Sequence, residues 1–103
     1  MAFKPSGGGP NSGMSVDIED WIRNDGKDPS TFVTTPRWVG SVRFTAGALR
    51  AEGLRVGWDP IPRAGSLPAN DYHGEVWDLT RAKQSRLQEM AEWFVQIEGV
   101  SVR

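Results

Sequence analysis

Residues 72–97 read YHGEVWDLTRAKQSRLQEMAEWFVQI, and the fold class turns on where this stretch changes its period. From Tyr72 to Trp77 the residues alternate. His73, Glu75 and Trp77 share one side of an extended chain, and Tyr72, Gly74 and Val76 share the other, which predicts a strand. Asp78 or Thr80 then supplies an N-cap, because a short side-chain oxygen at that position accepts a hydrogen bond from a free helical N–H. From Leu87 onward the apolar spacing becomes i, i+3, i+4, i+7, i+8 through Met90, Ala91, Phe94 and Val95. That spacing predicts one helix over 81–97, laid across a sheet. Trp93 and Ile97 widen its apolar stripe.

Upstream of this stretch, LRVGW at 54–58 alternates through Leu54, Val56 and Trp58, and RWVGSVRF at 37–44 puts Trp38, Val42 and Phe44 on one side. Both read as strands. Between them Thr45 caps a short helix, AGALRAE, that ends at Gly53 with apolar Leu54 after it. Nearer the N-terminus, Asp17 is placed to cap a helix of about two turns, with Asp20 at N3, Val16 stapling onto Trp21 and Gly26 as the stop. Ile18, Trp21 and Ile22 then fall on one face as core contacts. DPSTFVTTP at 28–36 reads as a connection, and the proline-rich DPIPRAGSLPAN at 59–70 as a long surface loop of the kind that often carries function. The expected organisation is a flexible arm over 1–13, rich in glycine and proline, and a single α+β domain over 14–103. Its architecture is a small, mostly antiparallel sheet of three or four strands, a long C-terminal helix packed across it, and two short helices. Strand order stays open.

The composition bounds the partners. At 103 residues the chain supports one core. It has no cysteine, which excludes disulfides and thiolate ligands; with no leader segment and no long apolar run, a soluble cytoplasmic protein is expected. A net charge of −1 gives no whole-chain field for nucleic acid or an anionic membrane. The five tryptophans are many for this length, and each needs a core or an interface to cover it.

Three constellations carry chemistry. His73 and Glu75, two apart on a strand, share a face and form an acid–base pair, with Asp17 or Asp59 arriving from elsewhere. One imidazole and no thiolate give no recognisable metal motif. Arg81, Lys83 and Arg86 load the first turns of the last helix with cations where its dipole prefers an anion, so a phosphate or an acidic partner fits there unless Asp78 compensates locally. Trp38, Trp58, Trp77 and Trp93 are more aromatic mass than one small core uses, and tryptophan with arginine is the composition of interface hot spots, with Trp58, Trp77, Trp93 and Arg81 as the candidate anchors.

The segments FKPSGGGPNSGMSVD, SVRFTAGALRAEGLRVGWDPIP and NDYHGEVW resemble a loosely defined group of small uncharacterised bacterial and phage proteins. The resemblance runs through Ser6, Met14, Ser15, Val16, Thr45, Ala46, Gly47, Arg50, Asp59, Pro60, Asn70 and His73. It departs from the pattern at Asp71 and Tyr72. The resemblance implies a shared fold unit and a bacterial or phage origin, with no activity attached. The leading expectation is therefore a small protein-interaction module of accessory, immunity or inhibitor type. It would bury Trp77, Trp93, Trp58 and Arg81 on a protein partner and need no cofactor. The alternative is an enzyme or a nucleotide- or phosphate-binding fragment, with His73 and Glu75 as the catalytic pair and the start of the last helix as an anion site. A homo-oligomer is a further option.

Overall fold

The computed structural model describes residues 13–36 and 38–99. Apart from Gly13, the expected arm lies outside these residues, as does the end of the chain after Gly99. In chain order the elements are β1 (Met14–Asp17), α1 (Glu19–Asn24), α2 (Pro29–Phe32), β2 (Ser41–Arg43), α3 (Ala46–Ala51), β3 (Arg55–Trp58), β4 (His73–Trp77), α4 (Arg81–Met90) and β5 (Glu92–Val95). They build an α+β fold with two antiparallel sheets rather than one. The larger sheet has the order β1-β4-β3, and the smaller pairs β2 with β5.

The stretch that decides the fold divides where a single helix was expected. Thr80 caps α4 by accepting from the Lys83 N–H at 3.2 Å, but the helix ends at Met90 and does not run on to Ile97. Ala91 already has extended backbone angles, φ −61° and ψ 136°. The physical reason lies in Trp93, Phe94 and Val95. Aromatic and β-branched side chains favour a strand, and β2 needs a partner for its backbone N–H and C=O groups, which β5 supplies in the register Val42↔Trp93. The helical spacing is still used up to the break, since Leu87 and Ala91 are fully buried. Thr80→Ala is expected to cost about 0.5–2 kcal/mol, measured as a lower urea midpoint at unchanged slope; an unmoved midpoint would show that α4 does not depend on its cap.

The N-terminal expectation is also corrected. Met14–Asp17 is a strand, not the approach to a helix, and pairs in the register Met14↔Val76 and Asp17↔His73. Ile18 is the N-cap residue of α1 and makes no side-chain cap bond. Asp17 instead accepts from the Asn70 amide at 2.9 Å. The segment read as a connection contains α2, whose Asp28 accepts from the Ser30 N–H at 3.0 Å and whose Pro29 sits in its first turn. The Ser30 hydroxyl, which donates to the same carboxylate at 2.7 Å, and after it that N–H hold the Asp28 carboxyl below its ordinary range. The first long strand shrinks to three residues, leaving Trp38 and Val39 exposed before it.

The core covers one face of the larger sheet. Met14, Leu49, Leu54, Val76 and Leu87 form its buried centre, with Val16, Phe44, Val56, Leu79 and Met90 packed against it. Thr45 caps α3 as expected, accepting from the Ala48 N–H at 3.1 Å. Gly53, at φ +79°, turns the chain into β3. A second cluster joins α1 and α2 to the start of β4: the Phe32 and Tyr72 rings meet edge to face at 5.2 Å, and the Tyr72 hydroxyl donates to Asp25 at 2.6 Å. Among the described residues no helix is long and apolar enough to cross a membrane.

Candidate functional site

The antiparallel register decides which side chains share a face, because directly opposed residues point the same way. Glu75 faces Ser15 on β1 and Gly57 on β3, while His73 faces Asp17. The β3–β4 pairing runs one step past the strand end, where the Asp59 N–H donates to the His73 carbonyl at 2.9 Å. Asp59, His73 and Glu75 are thereby gathered on the face opposite the core, each with one donor atom within 4.8 Å of the others.

His73 is only 6% exposed. Its Nδ1 contacts the Asp59 backbone carbonyl, and since a carbonyl only accepts, Nδ1 carries the hydrogen. Nε2 is buried and has no hydrogen-bond partner among the described residues; the nearest charge is Glu75 Oε1 at 3.5 Å. Glu75 is itself largely covered, with 13% of its side chain exposed. As a general base this pair is poorly placed, because the nitrogen that must take a proton is enclosed. Asp59, by contrast, is exposed.

Trp77 occupies the same face between two glycines. A Cβ on Gly57 would stand 3.3 Å from Trp77 Cζ3, and one on Gly13 would stand 3.0 Å from Trp77 Cδ1 and run into Glu75 Oε2. The Arg55 guanidinium lies 5.7 Å from the Trp77 ring centroid. Half-buried, Trp77 fills a slot that larger residues at 13 and 57 would close. Trp93 is also half-buried, in β5. Trp58 is 54% exposed; its indole N–H donates to the Asp71 carbonyl at 2.8 Å, and its ring meets Trp21 at 5.1 Å, edge to face. Trp21, read as a core residue, is 40% exposed; Ile22, its helical neighbour, is the buried one at 1%. Both fit the i, i+3, i+4 count, so spacing alone did not separate them.

The three cations of α4 do not converge on one point. Lys83 Nζ donates to the Gly53 carbonyl at 3.3 Å, and Arg86 pairs with Glu52 at 2.7 Å and Glu89 at 3.3 Å. Arg81 stands exposed at the first position of the helix. Asp78 compensates just ahead of α4 while being held by Arg55 at 2.7 and 3.1 Å. The hydrogen bond from that guanidinium keeps the Asp78 carboxyl below the usual carboxylate range.

No family model matches this chain, and no curated protein or solved structure is significantly similar to it.

Proposed function

We propose that this chain is a small protein-interaction module of bacterial or phage type that docks on a protein partner through tryptophan and arginine anchors. The observation that supports it is the Trp21–Trp58 pair, packed at 5.1 Å yet 40% and 54% exposed. Two large rings that touch each other and still face water leave much apolar area uncovered, and such surfaces mark sites that another surface completes. The loop leaving Trp58 adds Ile61 and Leu67, at 44% and 68% exposed. Trp58 is the centre of the proposed patch, with Arg81 and Trp93 as further anchors; Trp77 lies on the opposite face of the larger sheet and is not part of this patch. The absence of cysteine agrees with a cytoplasmic setting.

The double variant Trp21→Ala/Trp58→Ala tests the proposal. A partner captured by the wild-type protein is purified and titrated against both forms. The variant is expected to bind at least about 30-fold more weakly, the scale of a hot-spot loss of about 2 kcal/mol, with its far-ultraviolet circular dichroism unchanged. Equal affinity removes the patch from the interface. Light scattering on the free protein covers the remaining occupant: a dimer that the double variant dissociates means the patch binds a second copy of this chain instead.

A further inference from the structure

We infer that Asp59, His73 and Glu75 form a binding site for a divalent transition-metal cation of the zinc type, at the base of the 60–72 loop. Three donor atoms, one imidazole nitrogen and two carboxylate oxygens, lie within 4.8 Å of one another. Proximity of acidic groups is not enough by itself, and the second observation is the state of His73. Nδ1 is committed as a donor to the Asp59 carbonyl, so the neutral ring presents a lone pair at Nε2. That atom is buried and has no hydrogen-bond partner among the described residues. What it faces is another acceptor, Glu75 Oε1, at 3.5 Å. Buried polar atoms are almost always satisfied, and two lone pairs turned toward each other in an enclosed space are satisfied together by a cation between them.

The dimensions agree. A tetrahedral zinc site with bonds of about 2.1 Å separates neighbouring ligand atoms by about 3.4 Å, close to the 3.5 Å between Nε2 and Oε1. Asp59, which is exposed, has the rotamer freedom to close the third corner. The surrounding groups already orient the ligands as an outer shell does. The Asp59 carbonyl fixes the tautomer that leaves Nε2 available, and the Ser15 hydroxyl donates to Glu75 Oε1 at 3.5 Å. A mixed set of imidazole and carboxylates suits zinc, manganese or iron better than magnesium or calcium, which prefer oxygen throughout. Three protein donors leave a coordination position for water or a group of another molecule.

Asp59 and His73 stand where the long loop leaves and re-enters the sheet, and Trp58 directly precedes Asp59. A cation held there clamps the loop base. The site stands independently of the proposed docking surface, since no tryptophan is a ligand.

The full chain, free of any affinity tag and stripped with chelator, is titrated with Zn²⁺ by calorimetry and with Co²⁺ by visible absorption. One cation per chain is expected, with micromolar or tighter affinity and d–d bands of a low-coordinate Co²⁺ site. Asp59→Asn, a substitution at an exposed position, is expected to leave the melting temperature of the metal-free protein unchanged and to weaken binding at least about tenfold, and Glu75→Gln to weaken it by a similar factor. Because Asp59 is a surface residue, the Asp59→Asn arm does not require a substitution at buried His73. No saturable uptake up to about 1 mM, or equal affinity in wild type, Asp59→Asn and Glu75→Gln, overturns the site; in that case a proton, not a metal, sits between His73 and Glu75.

Discussion

Leu87→Ala is expected to lower the folding free energy by about 2–5 kcal/mol, the range for emptying a well-packed leucine site. For a domain whose total stability is about 5–15 kcal/mol, that leaves a protein that melts well below the wild type. Leu87 is 0% exposed and is the one side chain of α4 in the buried centre, where it joins Met14, Leu49, Leu54 and Val76. The rest of the helix is nearly all polar. Its other links to the fold are weaker in kind: the Arg86–Glu52 pair lies at the surface, with half of the arginine side chain exposed, and such pairs contribute little. The helix is therefore held mainly by one leucine, assisted by Met90. Urea denaturation followed by circular dichroism measures the loss. A change below about 1 kcal/mol would mean that the neighbours collapse into the space or that α4 is not anchored there.

What could be read from the residues was local, and what could not was decided by distant pairing. Thr45 and Thr80 are caps in the sequence and caps in the fold, because capping is settled within four residues. Gly26 and Gly53 take the left-handed angles their positions imply, φ +76° and +79°. Met14–Asp17 shows the opposite case. Asp17 has the right residue type and spacing for an N-cap, but four backbone pairs with β4 outweigh it, and nothing within the segment announces a strand 60 residues away along the chain. The same competition ended α4 early, since Trp93 to Val95 pair with β2 although their spacing suits a helix.

The candidate site divides along the same line. The alternation of β4 placed His73 and Glu75 on one face, and the fold keeps them there. The arrival of Asp59 depends on the β3–β4 pairing, which strand order alone decides. Asp17 and Asp59 are equal candidates by residue type, and the register brings both alongside β4, but only Asp59 joins the three-donor cluster while Asp17 bonds to Asn70. Trp21 was concealed for a different reason. A helix of six residues presents little of its circumference to the core, so one of two adjacent apolar residues is left outside, and Ile22 is the one enclosed.

Gly74→Val is expected to destabilise at least as strongly as Leu87→Ala, by about 3 kcal/mol or more, because overpacking against backbone has no cheap relief. Gly74 is buried in the central strand of the larger sheet, opposite Val16 on β1 and Trp58 on β3. A first carbon there would stand 2.9 Å from the Gly57 carbonyl oxygen, 3.3 Å from Val16 Cγ2 and 3.5 Å from Ile18 Cδ1. The valine methyls add to a contact that is already too close. Relief requires β3 to move away from β4, and that movement separates Asp59 from His73, whose backbones are joined at 2.9 Å across the same strands. The milder Gly74→Ala, at about 1–3 kcal/mol, is therefore expected both to lower stability and to weaken Zn²⁺ uptake, although residue 74 offers no ligand. Gly47→Ala is the control: it lies in α3 with nothing within 4 Å of the added carbon, and replacing a helical glycine there is expected to raise stability by about 0.5–1 kcal/mol without affecting cation binding. Thermal melts with and without Zn²⁺ separate the two effects, and unchanged stability in both Gly74 variants would disprove the close β3–β4 approach on which the position of Asp59 depends.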